Sequence, residues 1–82
     1  MWLVEFTPRS RRQLSSLPLS VQERIRLKLR GLSEKPFDHM DHFSGPYYKL
    51  RVGDYRLLLR ANFEQKILIA EVIAHRSIVY KR

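Results

Sequence analysis

Cysteine is absent from the 82-residue sequence, so neither disulfides nor thiolate metal sites hold this chain together. No apolar run approaches the roughly twenty residues a membrane-spanning helix requires, and the opening MWLVEFTPRSRRQL has no long apolar stretch. A soluble, cytoplasmic protein with no membrane association is expected. Acidic residues are scarce as well. Eight Asp and Glu stand against sixteen Lys and Arg, a formal charge of +8. Self-repulsion of that size persists where something acidic binds, and nucleic acid, an anionic membrane surface or an acidic protein would serve. A chain this short buries about two-thirds of its unfolded surface, which allows one small two-layer core. Residues 1–82 are therefore read as one domain, without repeats or low-complexity tracts.

What is present falls into clear periods. WLVEF, residues 2–6, alternates Trp2, Val4 and Phe6 with Leu3 and Glu5, the pattern of a strand with one face wetter than the other. Thr7 is placed to cap a short helix with Pro8 at its first position, where a missing N–H is no loss, and that helix ends near Leu17 and Pro18. Ser20 and Glu23 have capping-box spacing ahead of a second helix. Its residues Val21, Ile25, Leu29 and Leu32 form one apolar stripe, and the stop signals lie between Gly31 and Pro36. From Glu34 to Pro46 the sequence EKPFDHMDHFSGP reads as an irregular connection, an insertion or recognition loop. Three strands follow: YYKLRV, DYRLLLRA and KILIAEVIA. The last is apolar almost throughout and suits a central strand covered on both faces. The expected fold is α+β, with two N-terminal helices on one face of a twisted, mainly antiparallel four-stranded sheet in the order β-α-α-β-β-β.

The stretch KLRVGDYR, Lys49 to Arg56, concentrates charge on a hairpin. With Gly53 and Asp54 as a two-residue turn, Val52 lies opposite Tyr55, Arg51 opposite Arg56, Leu50 opposite Leu57, Lys49 opposite Leu58, and Tyr47 opposite Arg60. One face then carries Tyr48, Leu50, Val52, Tyr55, Leu57 and Leu59, which pack under the helices. The other carries Tyr47, Lys49, Arg51, Arg56, Leu58 and Arg60. Like charges directly across a ladder cost stability, so Arg51 facing Arg56 reads either as a solvated face whose long side chains cover apolar surface or as a site for a ligand outside the fold, and the convergence of charge with aromatic and titratable groups favours the ligand. If the tail HRSIVYKR turns back along the sheet, His75, Arg76 and Tyr80 join the same concave face. Lys, Arg, His and Tyr together suit a phosphate, with rings available to stack on bases.

These two blocks, with the order strand, helix, helix, three strands, resemble the RelE/ParE superfamily of toxins from bacterial and archaeal toxin–antitoxin modules. The resemblance covers essentially the whole chain, and its most specific part is K-L-R-x-G-x-Y-R followed by H-R-x-x-x-Y. It implies, for a RelE-like member, a ribosome-dependent endonuclease of messenger RNA held inactive by a cognate antitoxin, and for a ParE-like member an inhibitor of DNA gyrase. Lys49 and Arg51 stand where RelE has a basic pair, Arg56 where an arginine stabilises the scissile phosphate, Tyr80 where a C-terminal tyrosine orients the substrate, and Arg76 near the remaining basic site. Tyr47 departs from the RelE branch, which has a lysine there. That departure keeps a third reading open, a degenerate relative that pairs with an antitoxin and binds operator DNA.

Cleavage by the RNA's own 2′-hydroxyl needs a base, charge stabilisation at phosphorus and an acid for the leaving oxygen, with no metal or other cofactor implied. Arg51 and Arg56 suit the second task because guanidinium stays protonated and offers paired donors. Lys49, disfavoured as an ammonium beside two arginines, and His75 are the candidate bases, with His75 preferred. A paired-carboxylate mechanism is not expected, because only Asp54, in the turn, lies within the cluster. The expected catalytic set is Lys49, Arg51, Arg56, His75, Arg76 and Tyr80; Tyr47, Arg60, Lys81 and Arg82 are expected to bind RNA. Arg9, Arg11 and Arg12, with the basic faces of the second helix, fit contacts to ribosomal RNA or an acidic antitoxin segment. The HMDHF segment has no spacing that argues for a metal, and the apolar stripe of the second helix is needed by the core rather than by a membrane.

Overall fold

A computed structural model describes residues 1–77. Its elements are β1 (Leu3–Phe6), α1 (Pro8–Ser15), α2 (Leu19–Arg30), a 3₁₀ turn (Pro36–Asp38), β2 (Asp41–Ser44), β3 (Tyr47–Val52), β4 (Tyr55–Asn62) and β5 (Ile67–His75). The strands form one sheet in the order β1-β5-β4-β3-β2, with β1 parallel to β5 and every other pair antiparallel. The α+β class is as expected, but the sheet has five strands, not four. The additional one, β2, lies inside the segment expected to be irregular. Its residues DHFS are all exposed and show no apolar alternation; backbone pairing to β3 makes it a strand.

Both helices lie on one face, α1 against β5 and α2 against β3. The core between them is formed by Leu14 of α1, Ile25 and Leu29 of α2, Leu32 and Met40, and the inward residues Leu50, Val52, Leu57, Leu59, Leu68 and Ile73 of the sheet. The stripe expected on α2 is thus realised, with Val21 partly buried at its start. The central position of β5 is also realised, but only one of its faces is fully covered: Leu68, Ala70 and Ile73 are buried, while Ile67, Ile69 and Val72 are half-buried.

Local chemistry fixes the helix starts. Thr7 caps α1, its hydroxyl accepting from the Ser10 N–H at 3.0 Å while the Thr7 N–H donates to Ser10 Oγ at 3.0 Å. Such a cap contributes about 1 kcal/mol. The capping box expected at Ser20 and Glu23 does not form. The Pro18 carbonyl already accepts from Val21 and Gln22, so α2 begins at Leu19, and Gln22 Nε2 donates back to the Leu17 carbonyl at 2.8 Å. Gln13 has a comparable role across the sheet. Where β1 has ended, its Oε1 accepts the Ile73 N–H of β5 at 2.8 Å, satisfying a donor that no strand reaches. Among the described residues, no helix is long and apolar enough to cross a membrane.

Candidate nucleic-acid interface

The hairpin has the register its sequence requires, with Val52 opposite Tyr55, Arg51 opposite Arg56 and Tyr47 opposite Arg60. Gly53 takes φ = +58° at the first central position of the turn, where a type II′ hairpin calls for glycine, and Asp54 has no positive φ. Leu50, Val52, Leu57 and Leu59 accordingly face the helices and are buried, and the alternate residues form the open side of the sheet. On that side Lys49, Arg51 and Arg56 line a cleft of about 190 Å³ together with Leu50 and Asp41.

Asp41 is a member of the cluster that the sequence pattern does not announce. It lies directly opposite Lys49 in the β2–β3 register, so one carboxylate enters a cluster expected to contain none beyond the turn. Three basic side chains still outnumber it. The ion pairs among the described residues are Arg60 with Glu71 at 3.0 Å and Arg76 with Asp54 at 3.5 Å. Lys49, Arg51 and Arg56 take part in neither, so their donors remain available to a ligand.

Phe43 is a second such member. The β2 bulge between His42 and Ser44 brings its ring, 47% exposed, beside Lys49, Arg56 and Leu58, with the Lys49 ammonium 5.3 Å from the ring centroid. An aromatic face bordering a phosphate-sized cationic cleft has the arrangement of single-strand binders, in which bases stack while the backbone lies on positive charge. Its only signal in the sequence is a lone aromatic in a polar segment, and nothing in the pattern says that the segment folds back as an edge strand.

His75 does not join the cluster as expected. His75 pairs with Tyr55 and therefore shares its face, the helix side of the sheet. Its ring meets Tyr55 edge-on at 5.1 Å, and its Nδ1 lies 2.9 Å from Ser77 Oγ. The alternation of β5 thus turns His75 away from Arg56, whose own partner is Ala74. Arg76 is held at the hairpin tip, its N–H donating to the Asp54 carbonyl at 2.7 Å. Arg60 lies on the expected face but is partly neutralised by Glu71, the extra residue of the β5 bulge, and Tyr47 faces it across the ladder. Tyr80, Lys81 and Arg82 lie outside the described residues. The structure therefore gathers Lys49, Arg51 and Arg56, with Asp41 and Phe43 added. Among the described residues no three His, Cys, Asp or Glu side chains converge as a metal site would need.

Comparison with known proteins agrees with this architecture. Residues 4–80 match the family described as the ParE toxin of the type II toxin–antitoxin system parDE. The RelBE2 toxin–antitoxin complex from Mycobacterium tuberculosis contains a chain 26% identical over 92% of this one and 98% of that one, with a TM-score of 0.83. The archaeal RelE–RelB complex from Pyrococcus horikoshii OT3 gives 21% identity, 95% and 98% coverage and a TM-score of 0.79. The intact E. coli RelBE complex gives 22%, 92% and 96%, and 0.76. No curated protein sequence matches the chain. Since the family match takes in nearly every residue and the fold is that of the RelE chains, the protein belongs to the RelE/ParE superfamily of type II toxin–antitoxin toxins.

Proposed function

We propose that the chain is a RelE-like endonuclease that cuts messenger RNA on the ribosome, with the Lys49–Arg51–Arg56 cleft as its active site. The observation that carries this reading is the direct opposition of Arg51 and Arg56 across the hairpin, unpaired by any carboxylate among the described residues. Cross-strand repulsion is maintained there at a cost to the fold, and a phosphodiester bridging the two guanidinium groups converts it into attraction.

In the reaction proposed, the 2′-hydroxyl loses its proton and attacks the adjacent phosphorus. The bond to the 5′-oxygen breaks, leaving a 2′,3′-cyclic phosphate and a 5′-oxygen that takes its proton from solvent water to become the 5′-hydroxyl. Arg51 and Arg56 stabilise the extra negative charge of the phosphorane. Lys49 takes the proton, a role that passes to it because His75 lies across the sheet. Phe43 stacks on a neighbouring base. A cognate antitoxin would silence the toxin by covering or neutralising this face, as the RelE chains of the solved complexes were captured with RelB partners. Operator DNA would be contacted through that toxin–antitoxin complex.

Controlled expression followed by primer extension on cellular messages tests the reading. Codon-phased cuts are expected. Intact messages accompanied by double-strand DNA breaks would replace it with gyrase inhibition, the reading that the ParE name of the family favours. A chain that harms neither would be a degenerate relative. Phe43→Ala is expected to weaken binding of a non-cleavable 2′-O-methyl oligoribonucleotide by about tenfold, within the range of removing one base–aromatic stack, as read by fluorescence anisotropy.

A further inference from the structure

A second cationic cleft, of about 400 Å³, opens between α2 and the hairpin. Arg24 and Lys28, one helical turn apart on α2, line it with His39 and with Arg51, Val52 and Gly53 of the hairpin, and no carboxylate is among its lining residues. All four polar side chains are exposed, and the three permanent cations lack an ion-pair partner among the described residues. The Arg24 guanidinium lies against the hairpin tip. A Cβ on Gly53 would lie 2.8 Å from Arg24 Nη2, so glycine both turns the chain and lets the guanidinium lie against it. This cleft meets the first at Arg51, which lines both. The meeting point is the sheet edge where β2, which begins at Asp41 opposite Lys49, leaves the rest of β3 uncovered on that side.

We propose that the α2–hairpin cleft is a second phosphate site for the same RNA strand, taking a phosphate beyond the one at Lys49, Arg51 and Arg56 as the strand passes around the edge of β3. The proposal rests on the nuclease reading for the first site and adds a binding contribution from Arg24 and Lys28. Neither residue borders the reacting atoms, so both act on substrate binding.

Probe length separates this proposal from general surface charge. Fluorescein-labelled 2′-O-methyl oligoribonucleotides would be titrated with the full chain by anisotropy over a range of KCl concentrations. One probe is a dinucleotide with a single internal phosphate and the other a heptanucleotide. Arg24→Gln with Lys28→Gln is expected to weaken the heptanucleotide about tenfold and to reduce the slope of log K against log salt by about 0.7, the value for neutralising one phosphate fewer on a single strand. Dinucleotide affinity stays unchanged, whereas Arg56→Gln weakens both probes. Equal losses on the two probes, or no loss on the heptanucleotide, would overturn the second site. Failure of the first reading looks different: Arg56→Gln would leave the dinucleotide unaffected, whatever Arg24 and Lys28 do.

Discussion

On the proposed nuclease reading, Arg56→Ala is expected to lower the single-turnover rate of message cleavage in programmed ribosomes by about 10²–10³, the loss typical of removing one preorganised donor aimed at developing charge. Arg56 stands on β4, which is paired on both sides, and it lines the cleft with Arg51 and Lys49. Its backbone is therefore held by strands on both sides. The same substitution removes the like-charge opposition to Arg51, so the fold should gain about 0.2–1 kcal/mol, seen as a higher Tm in thermal melts. Opposite signs for activity and stability are the mark of a residue kept for a ligand. Arg56→Lys should recover part of the rate, because an ammonium restores charge without the paired donors of guanidinium. An unchanged rate in Arg56→Ala would remove the cleft from the chemistry.

How much of this is legible in the sequence depends on where the information lies. The hairpin register follows from a two-residue turn and strict alternation, and every pair from Tyr47–Arg60 to Val52–Tyr55 is where those rules put it. The apolar stripe of α2 is legible for the same reason: Ile25, Leu29 and Leu32 must be buried together. β2 is hidden because an exposed edge strand carries no apolar period, and Asp41 and Phe43 are hidden with it. His75 is misplaced by a different route. Proximity in sequence to Arg76 and the basic tail suggests a shared cluster, but its face is fixed by its position within β5, where it shares Tyr55's side of the sheet. The α2 cleft is also out of reach, since Arg24 and Lys28 look like ordinary charges on a solvated helix face until the hairpin is folded against them.

With His75 on the helix side, the proposed transfer of the 2′-hydroxyl proton has two candidate acceptors in the cleft, Lys49 and Asp41, which face each other across β2 and β3. Lys49 is the one flanked by both arginines in the cleft lining, where a phosphate would sit; Asp41 would bring a like charge toward that phosphate. Lys49→Met is therefore expected to slow cleavage by about 10²–10⁴, the contribution of a positioned general base. Because Lys49 also supplies charge, Lys49→Arg is the decisive companion. Arginine keeps the positive charge and cannot give up its proton, so this variant should bind a 2′-O-methyl RNA nearly as tightly as the parent chain and still cleave slowly. Asp41→Asn, by contrast, should cleave at close to the parent rate. A Lys49→Arg protein that cuts at the parent rate would make Lys49 a phosphate ligand only, and a comparable loss of rate in Asp41→Asn would pass the proton to the carboxylate of the edge strand.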